Sequence, residues 1–99
     1  MARFDVYANP NGTGYLLDVQ ADVLDNLSTR IVVPLLPSRT APSMAKRLNP
    51  VFDIAEEPHL MVTQFMAAVQ LSALRKPIGN LRMHDVEIGN ALDLALIGF

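Results

Sequence analysis

Residues 82–99 read RMHDVEIGNALDLALIGF, and this stretch holds the longest helical repeat of apolar residues in the chain. On a helical wheel most of these apolar residues fall on one broad face, a pattern typical of an amphipathic helix packed on a core. Asp85 and Glu87 lie in the first turns, where carboxylates favour the positive end of the helix dipole. The stretch therefore predicts a C-terminal helix. Its broad apolar face consists of Ile88, Ala91, Leu92, Ala95, Leu96 and Phe99.

A second, narrower apolar strip lies across the predicted helix. Because one helix rarely needs two buried faces in so small a domain, this strip favours an interface with another chain, although a helix that simply completes the core remains an alternative. After Asp93 no charged or polar side chain follows, whereas chain ends are usually polar and frayed. We therefore expect the apolar end to be held against the core, a twin subunit or a partner. The strip consists of Met83, Val86, Leu94 and Ile97.

Composition limits the chain to one domain, residues 1–99. Its 99 residues are 51% hydrophobic and 18% charged, which excludes a disordered chain and allows a modest core. A net charge of −2 gives no electrostatic basis for direct binding to nucleic acid or to a membrane. The chain has no cysteine, a signal peptide is not evident, and no apolar run reaches membrane length. We expect a cytoplasmic protein.

Short strand patterns precede the helix. They are separated by turn formers at residues 9–14, by a proline-containing loose region at residues 37–50, and by a break at residues 75–80. Several short strands followed by one helix predict a small antiparallel barrel or sheet with a helix packed on it. The predicted strands are Arg3–Ala8, Tyr15–Gln20, Arg30–Leu36, Val51–Ile54, His59–Phe65 and Ala68–Ala73.

Composition and motifs indicate little chemistry. His59 and His84 lack the spacing of a metal site, so we expect His59 to be structural and His84 to be solvated. Asp22 and Asp25 lie in a turn-rich connection and are expected to be capping residues. No nucleotide-binding or acyl-transfer motif occurs, so neither an enzyme nor a cofactor is predicted. Six cations could converge on an anionic partner, and ordinary solubilising surface charges are the alternative: Arg39, Lys46, Arg47, Arg75, Lys76 and Arg82.

Short motifs in a fixed order carry a resemblance that covers nearly the whole chain. They are Phe4-x-Val6-Tyr7, Leu17-Asp18-Val19-Gln20-x-Asp22-x-x-Asp25, Arg30-x-Val32-x-Pro34-Leu35, Leu48-x-Pro50-Val51, Met61-x-Thr63, Met66-Ala67, Asn90-Ala91 and Gly98. With these motifs the chain resembles the CcdB family, toxins of plasmid and chromosomal toxin–antitoxin operons that poison DNA gyrase.

The resemblance implies a mainly β fold, an SH3-like five-stranded antiparallel barrel with a small side sheet and one terminal helix. It also implies a homodimer with the two helix ends near the twofold axis. The implied partners are the DNA gyrase A subunit and a cognate CcdA-like antitoxin, which also regulates the operon. DNA would be contacted only indirectly, through the antitoxin or gyrase. Such a protein traps gyrase by binding and is not an enzyme.

The resemblance also implies a gyrase-binding tip. Members of the family place a Trp at the position of Ile97, and an Ile side chain cannot stack on a guanidinium group. Two alternatives follow. One is a CcdB-fold protein that binds its antitoxin but poisons gyrase weakly or not at all; the other is an RNA-cleaving toxin, because MazF-type ribonucleases share the barrel. The implied tip residues are Ile97, Gly98, Phe99, Asp93 and Leu24.

Overall fold

A curled antiparallel sheet and one C-terminal helix make up the protein in this computed structural model, which describes residues 2–41 and 45–98. The main path of the sheet runs in the order β4-β5-β3-β2-β1-β7, and β6 pairs with β3 as a side strand. This architecture confirms the predicted fold class. The elements are β1 (Asp5–Ala8), β2 (Tyr15–Asp18), β3 (Thr29–Pro37), β4 (Val51–Ile54), β5 (Glu57–Met61), β6 (Ala67–Gln70), β7 (Gly79–Asn80) and α1 (Asp85–Leu96).

The long strand β3 holds the sheet together because it pairs with three neighbours. One edge pairs with β2. On the other edge, Thr29 to Val32 pair with β6, and Leu35 to Pro37 pair with β5. Pro34, which lacks a backbone N–H, lies where the partner changes, and its carbonyl accepts a hydrogen bond from the Val62 N–H at 2.9 Å. The proline therefore marks the point at which the side sheet diverges from the main sheet.

Each face of the sheet carries its own core. Alternation along β2 and β3 places Leu17, Val33 and Leu35 on the face covered by α1, where all three are fully buried. α1 covers this face with Ile88, Ala91 and Leu92. The smaller core on the opposite face consists of Tyr7, Leu16, Val32 and Leu74, with Val69 packed against it.

The helix departs from its prediction at both ends. Arg82–His84 form a 3-10 turn, and the α-helix begins at Asp85. At the other end Ala95 and Leu96, predicted to face the core, are exposed. These two residues instead line a cavity of about 430 Å³ together with Thr63 and Met66. The second strip is also largely exposed, with 83% of Met83 and 69% of Val86 accessible. Phe99 lies outside the described residues.

Some strand boundaries also differ from the sequence-based prediction. The β4–β5 turn is formed by Ala55 and Glu56. β5 therefore begins at Glu57, ahead of the strand predicted from His59. After β5 and after β6 the chain enters 3-10 turns, Thr63–Phe65 and Leu71–Ala73, where continued strand was predicted. The two-residue strand β7 lies in the predicted break, because its pairing with β1 is a tertiary contact without a local sequence pattern. No helix in the described part of the chain is long and apolar enough to cross a membrane.

Candidate functional site

Among the described residues, the most buried ion pair joins β2 to β3. Arg30 Nε and Nη2 lie 2.8 and 2.7 Å from Asp18 Oδ2, and both side chains are fully buried. The Gln20 backbone N–H donates to Asp18 Oδ1 at 3.0 Å. Burial raises the pKa of Asp18, and the hydrogen bond from Arg30 opposes that rise. The pair has no access for a substrate, so we assign it a structural role.

Tyr7 belongs to the same buried face. Its hydroxyl has no hydrogen-bond partner among the residues that the structure describes. Burial, followed by the charges of Asp5 and Asp18, raises its pKa from 10.0 to about 12. Leu74 and Val69 pack against this cluster, which therefore contributes to the core and not to an open site.

The two histidines occupy different environments. His59 is buried, its Nδ1 lies 2.8 Å from the Glu57 carbonyl oxygen, and its ring meets the Tyr15 ring edge-on at 5.1 Å. These contacts agree with the expected structural role. His84 was expected to be solvated, but it is only partly exposed and its ring lies 4.8 Å from the Phe52 ring. His84 is therefore held in place at the surface.

A carboxylate orients the imidazole of His84. His84 Nδ1 lies 3.1 Å from Glu87 Oε1, one helical turn further along the chain. Because an ionised carboxylate only accepts hydrogen bonds, the proton of the neutral ring lies on Nδ1 and Nε2 carries the lone pair. Nε2 has no hydrogen-bond partner among residues 2–41 and 45–98. This arrangement suits a general base.

Two arginines flank one aromatic ring on the other side of the same 3-10 turn. The guanidinium carbons of Arg3 and Arg82 lie 4.7 and 5.9 Å from the centre of the Phe4 ring. Arg3 Nε also donates to the Val19 carbonyl oxygen at 3.2 Å, and the Arg82 backbone N–H donates to Asn80 Oδ1 at 2.7 Å. The ring and these hydrogen bonds hold both cations beside a cavity of about 400 Å³.

The backbone at Phe4 is strained. Its φ of 74° lies in the left-handed region, which costs a non-glycine residue roughly 1–2 kcal/mol. The conformation is held by the Phe4 N–H, which donates to the Asp18 carbonyl oxygen at 2.7 Å, and by the Asp5 N–H, which donates to the Ala2 carbonyl oxygen at 3.1 Å. Strained residues occur often at functional sites, so this position supports a site around Phe4.

Two carboxylates line the same cavity. Asp22 Oδ1 accepts a hydrogen bond from the Arg3 backbone N–H at 2.9 Å, across 19 residues. Asp22 thus positions Arg3; it makes no capping hydrogen bond in its own 3-10 turn, contrary to our expectation. Asp85, the first residue of α1, also lines the cavity. The cavity therefore combines two cations with two carboxylates.

The turn Arg82–His84 connects these features. Arg82 faces the arginine cavity, and His84 lines a separate cavity of about 430 Å³. Among the described residues no group of three or more His, Cys, Asp or Glu side chains is placed to hold a metal ion. His84 and the two arginines are a base and cations of the kind that phosphodiester chemistry uses. Sequence reasoning missed this site, although His84 and Glu87 at i and i+3 were a detectable pattern.

The residues of the expected tip lie at two places in the chain. Ile97 is 61% exposed, and Gly98 follows it at a φ of +95°, with its N–H donating to the Asp93 carbonyl oxygen at 3.0 Å. This is the geometry of a helix that ends at a glycine in the left-handed conformation. Leu24 is 42% exposed in the 3-10 turn Asp22–Leu24. Phe99 is not among the described residues.

Two solved structures share the fold over almost the entire chain. One is an endoribonuclease in complex with its cognate antitoxin from a mycobacterial species, with 16% identity, a TM-score of 0.77, and coverage of 97% of this chain and 94% of that chain. The other is the Mycobacterium tuberculosis toxin MazF-mt6, with 15% identity, a TM-score of 0.76, and coverage of 94% of this chain and 96% of that chain.

These similarities contradict two predictions made from the sequence. We predicted a gyrase poison that acts by binding and is not an enzyme. The proteins that share the fold are instead a ribonuclease and a MazF toxin, which favours the RNA-cleaving alternative. The gyrase prediction was carried by the family resemblance, although Ile97 stands where members of the family place a Trp.

The family itself is established by sequence. The CcdB protein family matches residues 3–98, nearly the whole chain, and confirms the resemblance carried by the short motifs. The motif residues lie in both cores, for example Val6 and Leu17 in the core under α1, and Tyr7 and Val32 in the opposite one. The chain belongs to the CcdB family.

Proposed function

We propose that this protein is the toxin of a toxin–antitoxin module and that it cleaves RNA without a metal ion. The observation that carries the proposal is the His84–Glu87 pair, which presents a lone pair at Nε2 two residues from Arg82. The shared fold with an endoribonuclease toxin supports the same class of reaction. Residues 1–99 would act as a single domain.

The chemistry follows from the base. His84 Nε2 removes the proton of a ribose 2′-hydroxyl, and the 2′-oxygen then attacks the adjacent phosphorus. The bond from phosphorus to the 5′-oxygen breaks, and that oxygen takes up a proton from solvent. The products are a 2′,3′-cyclic phosphate and a 5′-hydroxyl end. Glu87 keeps the imidazole in the required tautomer and stabilises the imidazolium that forms.

Although the net charge of −2 gave no reason to expect binding to nucleic acid, two neighbouring arginines would hold the phosphate. A guanidinium group binds phosphate oxygens through paired hydrogen bonds and stabilises the charge that develops on them during the reaction. Arg82 lies on the same turn as the base, and Arg3 is fixed next to it by Asp22 and by the Phe4 ring. An RNA backbone that crosses this turn would contact Arg3 and Arg82 on one side and the general base, His84, on the other.

The exposed apolar end of α1 would serve recognition by other chains. Leu96 and Ile97 are 70% and 61% exposed, and Phe65, from the adjacent 3-10 turn, is 54% exposed. Such a concentration of large apolar side chains is typical of a protein interface. We assign it to a second copy of this chain and to a neutralising antitoxin, with Asp93, Gly98 and Leu24 as further contact residues.

The test is cleavage of a single-stranded RNA by the purified protein in the presence of a chelator. We expect 2′,3′-cyclic phosphate ends from the wild type. His84→Gln should slow cleavage about 100-fold or more, because a general base contributes about 10²–10⁴-fold. Arg82→Gln should also slow it, through loss of phosphate stabilisation.

Arg75→Gln is the matched control for charge, because Arg75 is an exposed arginine outside the cavities of Arg82 and His84. It should leave the rate unchanged. An intact RNA after incubation with the wild-type protein would overturn the proposal. Cleavage that survives unchanged in His84→Gln would overturn the assignment of the base.

A further inference from the structure

We propose that the cavity beside His84 binds a nucleobase of the RNA and selects guanine. This inference rests on the proposed RNA cleavage. The cavity measures about 430 Å³, within the range of small-molecule sites. Its walls include Asp53, Ile54, Ile78, Asn80, Met83 and His84.

The position of the cavity follows from the 3-10 turn. Met83 and His84 line it, while the preceding residue, Arg82, lines the arginine cavity. Asn80 fixes this geometry: its Oδ1 accepts from the Arg82 N–H at 2.7 Å, and its Nδ2 donates to Asp5 Oδ1 at 2.9 Å. Since the phosphate and the base of one nucleotide are joined through the ribose, adjacent cavities for the two are what a nucleotide requires.

The apolar walls suit the faces of a base. Ile78 and Met83 are 55% and 83% exposed, although both are large and apolar. Exposed apolar side chains that border a cavity are typical of a binding site. Methionine adapts to flat aromatic surfaces through its polarisable sulfur. The imidazole of His84, already supported by the Phe52 ring, adds an aromatic edge that can contact the face of a base.

Asp53 supplies the selectivity. It is exposed, and its carboxylate makes no hydrogen bond or ion pair within residues 2–41 and 45–98. A carboxylate only accepts hydrogen bonds. Guanine alone among the four bases presents two adjacent donors, N1–H and the 2-amino group, on its Watson–Crick edge. Adenine and cytosine place a ring nitrogen lone pair next to the amino group, which would repel the carboxylate.

The test uses binding, so that it does not depend on cleavage. The full-length protein is titrated with GMP, AMP, CMP and UMP, and its amide NMR signals are followed. We expect GMP to bind at least tenfold more tightly than the others, with shifts at residues 53–55 and 78–84. Asp53→Asn should weaken GMP binding about tenfold or more, because an amide cannot accept both hydrogen bonds from the guanine edge. Asp25→Asn, at another exposed aspartate, should leave it unchanged.

Equal binding of the four nucleotides, or shifts confined to other surfaces, would overturn the inference. GMP binding that Asp53→Asn does not weaken would overturn the role of that residue. Cleavage is measured in parallel on RNAs that contain or lack guanine. Guanine-selective binding without any cleavage would contradict the proposed function while supporting the guanine pocket. Cleavage without guanine preference would support the proposed function and contradict the guanine pocket.

Discussion

Arg30 and Asp18 form the interaction whose disruption should affect the fold most. Replacing Asp18 with Asn leaves the Arg30 charge buried without a counter-charge, and breaking a buried pair in this way typically costs about 3–5 kcal/mol. We therefore expect Asp18→Asn to lower the free energy of unfolding, measured by urea denaturation, by about 3–5 kcal/mol.

Two further variants separate a buried charge from general damage. Asp18→Leu combined with Arg30→Met removes both charges and should recover most of the lost stability. Arg39→Ala breaks the exposed ion pair with Glu57 and should change stability by less than about 1 kcal/mol. A double variant as unstable as Asp18→Asn would contradict this account.

Tyr7 predicts how stability depends on alkaline pH. Its pKa is 10.0 in the unfolded chain and about 12 in the folded one, so the folded state holds the proton more tightly. Below pH 10 the ionisation of Tyr7 therefore leaves the free energy of unfolding unchanged. As the pH rises from 10 through 12 the free energy of unfolding falls, because the unfolded chain loses the tyrosine proton first. This pKa difference of about two corresponds to a loss of at most about 2.7 kcal/mol in the free energy of unfolding.

Tyr7→Phe should remove this part of the alkaline loss, while stability at neutral pH changes by about 1 kcal/mol or less, because the lost hydroxyl has no hydrogen-bond partner in the described part of the chain. Urea denaturation at pH 9 and pH 11.5 measures the effect. Tyr15→Phe controls for the loss of a phenol elsewhere. An unchanged alkaline slope in Tyr7→Phe would show that other groups control it.

Individual residues were only partly predictable from the sequence. The i, i+3 spacing of His84 and Glu87 is local and was detectable. In contrast, the contact between Asp22 and Arg3 spans 19 residues, and that between Asn80 and Asp5 spans 75. Such contacts depend on the strand order, which one sequence does not reveal. The sequence analysis identified Asp18 and Arg30 only as residues of the family motifs and did not predict their ion pair.

At the scale of elements, the turn between β4 and β5 carries strain that a substitution can relieve. Ala55 and Glu56 have φ values of 52° and 64°, the left-handed conformation of a two-residue hairpin turn. Glycine adopts this conformation without the clash of a Cβ atom. We expect Glu56→Gly to raise the free energy of unfolding by about 1 kcal/mol, measured by thermal and urea denaturation.

Asp25→Gly is the matched control, because Asp25 is exposed and has an ordinary φ of −70°. Glycine there should lower stability through the greater entropy of the unfolded chain. Stabilisation by both glycines, or by neither, would contradict the assignment of strain to the β4–β5 turn.

Predictability also varied among the elements. β3 and β4 followed their sequence patterns closely, since β-branched and alternating residues match buried strands. The prediction of α1 succeeded for Ile88, Ala91 and Leu92 but failed for Ala95 and Leu96. Periodicity identifies which residues share a face, but not how far the surface beneath a helix extends.

At the scale of the whole molecule, the predicted fold was confirmed, whereas the main functional prediction was wrong and the comparisons favour one of its alternatives. Two cores on opposite faces of one sheet require strands with continuous apolar runs, because successive side chains point to opposite faces. Such a run, IVVPLL, is present at residues 31–36. The functional prediction was transferred from the family through the tip around Ile97. Because one fold supports different activities, the site around Arg82 and His84 is the better guide to function.

We propose that this protein is a toxin that cleaves RNA with His84 as the general base. The most direct test is to induce the wild type and His84→Gln in cells without antitoxin, and to map new RNA 5′ ends alongside growth. We predict growth arrest with RNA fragments bearing 5′-hydroxyl ends for the wild type, and neither effect for the variant at equal protein levels. Growth arrest with intact RNA would contradict the account.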